Sequence, residues 1–311
     1  KRQASDAAAS DSFGGDSTAS PWTVENTRAV DIEGNILAVG AHLDDDNGSA
    51  SGSVYIFEFD GTNWVETEKL TQSDGAAGDE FGRTVSVSGD RVVVGSQKDD
   101  DDGSNSGSVV VFEKSGAVWS ETHKIAASDT AAGDRFGNSI SIDGDRLVVG
   151  AYQDDDGGSS SGSAYIFDYN SGTDSWDETQ KLAASDAAAS DRFGYSLSLY
   201  GDRVLVGAHY DDDHGTNSGA AYGFERNSST GVWEEVYKID ATGAFDGSNP
   251  LGAQGSDFFG TGVSLGERHA IAGLTGDDDQ GSAAGAACAF EVDAGPFAPV
   301  AFDENVPVGI D

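Results

Sequence analysis

The sequence predicts an all-β fold, a β-propeller of five blades with four antiparallel strands each, from three observations. A set of motifs recurs five times, about 55 residues apart at Gly40, Gly95 and Gly150. Each recurrence alternates apolar and polar residues in short runs broken by glycine turns. No segment carries a helical period.

The strands of one unit follow in order. "RTVSVSGDRVVVGS" (Arg83 to Ser96) alternates, turns at Gly89-Asp90 and runs apolar again, which is a hairpin pattern for strands one and two. The same turn stands at Gly34-Asn35, Gly144-Asp145, Gly201-Asp202 and Gly266-Glu267. "GSVVVFE" supplies strand three and "WSETHKI" strand four. A Phe-Gly pair opens each unit: Phe13-Gly14, Phe81-Gly82, Phe136-Gly137, Phe193-Gly194 and Phe259-Gly260. In the first unit an insertion, GDSTASPWTVENT, follows the pair. Strand four carries Trp64, Trp119, Trp176 or Trp233, with Phe297 in that place in the fifth unit. These aromatics, at fixed register, are expected between blades; sugar stacking is the other reading of the Trp set.

The expected organisation is one propeller over 1–302, in units of about 1–68, 69–123, 124–180, 181–237 and 238–302. Residues 303–311 form a tail or linker. Five blades can close a ring, and the alternative is part of a larger propeller. The opening KRQASD lies at the end of a fourth strand, which fits closure between first and last blades. Without Met, it is expected of a chain that has lost a leader or is a piece of a longer product.

Composition narrows the function. The chain of 311 residues has 55 acidic and 17 basic side chains, a formal charge of −38. Such a field disfavours nucleic acid and anionic membrane, and favours cations and basic partners. With 37% hydrophobic residues there is material for a real core, so the chain is not a disordered acidic tail. No apolar run is long enough to span a bilayer. The single cysteine, Cys288, excludes an internal disulfide; it stands in the register of Tyr55, Tyr165 and Tyr222 and is expected to be a small buried residue. Asn47 and Asn227 begin N-glycosylation sequons, consistent with a secreted or surface location.

The Phe-Gly pairs, with "VGAH", "VGSQ", "VGAY", "VGAH" and "AGLT" at the Gly-Ala-Pro position, resemble the FG-GAP repeat of the integrin alpha-subunit head. The resemblance covers nearly the whole chain. It implies a β-propeller serving adhesion or recognition outside the cell, although the integrin head has seven blades against five here.

Four residues after each anchor glycine comes an aspartate triplet: Asp44 to Asp46, Asp99 to Asp101, Asp154 to Asp156, Asp211 to Asp213 and Asp277 to Asp279. All lie in loops between strands two and three, on the same face as the acidic connections between blades. Asp11, Asp79, Asp134, Asp191 and Asp257, each two residues before a Phe-Gly, are expected to complete a carboxylate ring. Two like charges about 4 Å apart cost roughly 1 kcal/mol in water and several near a protein surface. Ca2+, a hard cation taking six to eight oxygens, would offset that. The first and third residues of each triplet are the candidate ligands: Asp44, Asp46, Asp99, Asp101, Asp154, Asp156, Asp211, Asp213, Asp277 and Asp279. The family's own calcium loop lies between strands one and two, where this sequence has only tight turns, so the resemblance does not place calcium at the triplets. A solvated acidic rim in a cation-rich medium is the competing reading.

His42 and His209 share a register two residues after the anchor glycine and are read as structural variation on a loop rim. His123 and His214 have no catalytic partner in the sequence. No nucleophile elbow, HExxH or phosphate loop occurs, and carboxylates are too abundant to mark a glycosidase. The reading is a secreted, non-enzymatic adhesion, recognition or assembly module, partnered by a protein or acidic polysaccharide. The alternatives are a subunit or decoration of an extracellular filament or matrix, and a polysaccharide lyase or hydrolase.

Overall fold

The computed structural model describes residues 3–6, 11–15, 28–240, 255–277 and 285–292. Nineteen strands form five antiparallel sheets. The first holds β1 (Val30–Glu33), β2 (Ile36–Ala41), β3 (Ser53–Phe59) and β4 (Trp64–Leu70). The second holds β5 (Thr84–Ser88), β6 (Arg91–Ser96), β7 (Ser108–Ser115) and β8 (Val118–Ile125). The third holds β9 (Ser139–Asp143), β10 (Arg146–Ala151), β11 (Ser163–Asn170) and β12 (Ser175–Leu182). The fourth holds β13 (Ser196–Tyr200), β14 (Arg203–Ala208), β15 (Ala220–Arg226) and β16 (Trp233–Asp240). The fifth is partial: β17 (Phe259–Leu265), β18 (His269–Leu274) and β19 (Ala286–Glu291). Its expected fourth strand, at Phe297, falls outside the described residues. Each sheet is a blade of a β-propeller.

The hairpins between strands one and two are closed by two residues. Gly34, Gly89, Gly144 and Gly201 take φ of +55 to +60° at the first of them, as a type II′ turn demands. Strands three and four slip by one residue, between Ile56 and Phe57, Val111 and Phe112, Ile166 and Phe167, or Gly223 and Phe224. This bulge places the strand-four Trp and the lysine near its end each on its own partner.

The core lies between blades. Val148, Ala164 and Ile166 of the third blade pack on Leu197, Leu199, Val204, Tyr222 and Phe224 of the fourth. Phe81, Phe136, Phe193 and Phe259 are essentially fully buried, and Trp119, Trp176 and Trp233 are buried too. The aromatic sets are therefore inter-blade core, as expected. Cys288 is a buried free thiol paired across the ladder with Ala272.

Two repeated devices bind each blade to the next. A Cβ on Gly40, Gly95, Gly150 or Gly207 would collide with the carbonyl oxygen of Gly82, Gly137, Gly194 or Gly260, so the anchor must be glycine. Around the axis, Ser86, Ser141 and Ser198 accept hydrogen bonds from the Ile142, Leu199 and Leu265 amides of the next blade at 3.0–3.2 Å. Asp31 accepts likewise from Val87 at 2.7 Å. The innermost strands enclose a channel of about 500 Å³, to which each blade contributes one polar residue: Asp31, Ser86, Ser141, Ser198 and Ser264.

Candidate functional site

Each complete blade builds one charged cluster at the end of its strand-two to strand-three loop. In the third blade, the loop after β10 turns at Asp154, whose Oδ1 accepts the Asp156 amide at 3.1 Å. The Gly162 amide closes the loop on the Asp154 carbonyl at 2.9 Å. Asp154 is thereby buried at 3% exposure, while Asp155 and Asp156 remain exposed. Its Oδ2 points at the Tyr165 hydroxyl, 2.6 Å away, and at Lys181 Nζ, 2.8 Å away.

Lys181 stands opposite Tyr165 in the β11–β12 ladder, and its ammonium crosses the tyrosine ring 5.1 Å from the centroid. It reaches three carboxylates: Asp154 at 2.8 Å, Asp156 at 2.7 Å and, from the connection preceding the blade, Asp129 at 2.7 Å. Tyr165 donates to Asp129 as well, at 2.9 Å. The fourth blade repeats the arrangement with Lys238 on Asp186, Asp211 and Asp213 at 2.6–2.8 Å, and Tyr222 on Asp211 and Asp186. In the first blade Lys69 holds Asp6, Asp44 and Asp46, with Tyr55 on Asp6 and Asp44.

The second blade shows that the geometry is selected. Lys124 holds Asp74, Asp99 and Asp101, yet Val110 replaces the tyrosine. Gln72 donates to Asp99 and Asp74 at 2.8 and 2.9 Å in its place, and Ser108 donates to Asp99 at 2.7 Å. The other blades have alanine at the Gln72 register: Ala4, Ala127 and Ala184.

The charges set one another's protonation. Burial alone would raise Asp154, but hydrogen bonds from Lys181, Tyr165 and the Asp156 amide hold it below the usual carboxylate range. Asp99 is held down against burial by Lys124, the Asp101 amide, Ser108 and Gln72. Burial would lower Lys181, yet its three carboxylates raise it above the usual lysine range. One ammonium against three carboxylates leaves two negative charges per cluster, with the middle aspartate adding a third.

Several expectations need correcting. The first aspartates are not a solvated rim: Asp44, Asp99, Asp154 and Asp211 are all 2–4% exposed. Asp79, Asp134 and Asp191 do not join the clusters. Each caps its own connection, accepting the Ala76, Ala131 or Ala188 amide at 2.6–2.7 Å. Burial raises all three, Asp191 to about 6. The third carboxylate comes instead from Asp6, Asp74, Asp129 and Asp186, in the recurring Ser-Asp that follows the lysine. The lysines themselves were overlooked, although basic residues are few and these four share one register. In the fifth unit the Gly285 amide closes the loop on the Asp277 carbonyl as elsewhere, while Asp279 lies outside the described residues. His42 and His209 are buried rather than on a rim. His209 packs 3.8 Å from the Tyr195 ring, and burial with Arg192 pushes it down to about 3. Of the sequon residues, Asn47 is exposed and Asn227 is half-buried.

The carboxylate oxygens of Asp129, Asp154 and Asp156 lie within 4.8 Å of one another, as do those of Asp186, Asp211 and Asp213. Both groups can hold a metal ion, and their all-oxygen donor set suits a hard cation. Lysine nitrogen sits among those oxygens, so an ion there competes with an ammonium built into the fold.

A propeller whose one face carries repeated acidic groups is a recognition-module architecture. The chain belongs to the FG-GAP repeat family, which matches residues 27–57, 64–112, 119–167 and 176–224, more than half its length. No curated protein matches the sequence.

Proposed function

We propose that this chain is an extracellular, non-enzymatic recognition module whose acidic face binds divalent cations, and through them a carboxylate-bearing protein or acidic polysaccharide. The observation that carries this reading is the fourfold cluster of three carboxylates around one lysine. Each keeps an excess of two negative charges and two exposed aspartates, such as Asp156 and Asp129 in the third blade. A calcium ion would take oxygens of Asp129, Asp154 and Asp156, with the Lys181 ammonium displaced toward solvent. FG-GAP repeats are typical of extracellular proteins, and among the described residues no helix is long and apolar enough to cross a membrane.

Thermal unfolding under calcium titration at constant ionic strength tests the reading. A saturable stabilisation by calcium over magnesium, lost in Asp154→Asn/Asp156→Asn, is expected. Lys181→Met removes the internal competitor and should tighten calcium binding. A response to ionic strength alone, equal for both ions and both variants, would refute specific cation binding.

A further inference from the structure

The four seams between consecutive blades are built alike, and the seam between the fifth blade and the first is not. Val85, Ile140, Leu197 and Val263 begin the rear face of blades two to five and are 0–4% exposed. Their counterpart in the first blade, Val30, is 50% exposed. Two residues on, Val87, Ile142, Leu199 and Leu265 are 5–7% exposed, whereas Ile32 is 55% exposed. The surfaces that cover these residues belong to the forward face of the preceding blade: Ala38, Val93, Val148 and Leu205, each fully buried. Their counterpart in the fifth blade, Ile271, is 47% exposed.

The hydrogen bonds agree. The bond that would close the ring runs from the Ile32 amide to Ser264, but that amide donates to Asp31 Oδ1 at 2.8 Å. Gly219 bridges Phe259 of the next blade, whereas Phe13 bridges Ala41 of its own blade. The anchor glycine of the fifth blade, Gly273, has no close carbonyl: an added Cβ would meet nothing nearer than Gly262 O at 3.7 Å. The side chain of Arg28 holds the interior of this seam, donating to the carbonyls of Leu197 and Val263. Burial lowers it to about 10.

We infer that the seam is an interface for a second copy of this chain, the Ile271 face of one copy covering the Val30–Ile32 face of the next. The repeated seams identify the occupant. In this fold the rear face of a blade is covered by a forward face of the same construction, and each copy leaves one of each exposed at this seam. The nearby acids are already engaged, Asp31 with the Val87 and Ile32 amides and Glu33 with the Gly89 amide, so the contact is between apolar side chains. Two different faces meet, so the association is head-to-tail and closes a ring or extends a filament. The formal charge of −38 per copy opposes it, and salt relieves that repulsion.

The test is sedimentation over a range of concentrations, at low salt and at about 1 M NaCl, where the screening length is ~3 Å. The chain should associate with concentration, more strongly in high salt. Ile32→Asp and Ile271→Asp should each weaken self-association at least about tenfold, with the thermal midpoint retained. Mixed together they should form a one-to-one pair that does not grow, because each variant keeps the face the other lacks. A chain that stays monomeric in high salt would overturn the inference and leave residues 293–311 as the remaining cover. Variants that associate like the parent, or that fail to pair when mixed, would overturn it equally.

Discussion

The ammonium of Lys181 lies 2.8 Å from Oδ2 of Asp154, a carboxylate only 3% exposed in a loop that the sequence fills with like charges. That pairing explains how a row of aspartates is tolerated. The fold carries one cation for each triplet in its four complete blades, on the strand that ends beside the loop. A buried carboxylate is costly unless paired and hydrogen-bonded, and here it is both.

Removing the ammonium should therefore cost more than removing the pair. Lys181→Met leaves Asp154 buried with only its tyrosine and amide partners and should lower stability by on the order of 3 kcal/mol. Adding Asp154→Asn to that variant should recover part of the loss. Urea unfolding of the two single variants and the double variant measures the coupling, and simple additivity would show that the two groups do not act as a pair.

In the second blade the same support comes from Gln72. Gln72→Ala should cost about 1–2 kcal/mol, because Asp99 and Asp74 each lose a donor. Gln180, whose side chain binds only the Trp233 backbone, gives a comparison outside any cluster.

Stability should peak on the acid side of neutrality. Asp79, Asp134 and Asp191 have folded pKa values above their unfolded ones, Asp191 at about 6. They favour the native state when protonated, and that contribution is lost as pH rises through the folded value. Asp99 and Asp154 are held below the unfolded value, so their contribution is lost as pH falls below about 4. The urea midpoint should rise from pH 7 to about 5, then fall below about 4. Asp191→Asn should flatten the upper limb by on the order of 2 kcal/mol; an unchanged limb would show that Asp191 is not its source.

The anchor glycines should not be equivalent. Gly150→Ala drives a methyl group into the Gly194 carbonyl and should cost about 3 kcal/mol or more. Gly273→Ala meets nothing within 3.7 Å and should cost less than about 1 kcal/mol. Thermal midpoints of the two variants compare a closed seam with the seam at the fifth blade, and equal losses would contradict the difference described here.

The sequence by itself determined the repeat, the strand order and the face on which the acids gather. Those follow from local rules: alternation makes strands, Gly-Asp and Gly-Asn make hairpins, and a fixed register puts each Phe-Gly in the same seam. Only the tertiary structure decided which carboxylates meet. Lys181 is 25 residues from Asp156 and 52 from Asp129, on a strand whose bulge sets where its side chain points. Electrostatic partnership depends on distance through space, and no periodicity along the chain reports it. The asymmetry of the seams was equally out of reach. Val30 and Ile32 read like their buried counterparts Val85 and Val87, because burial is a property of what lies opposite and not of the strand that carries them.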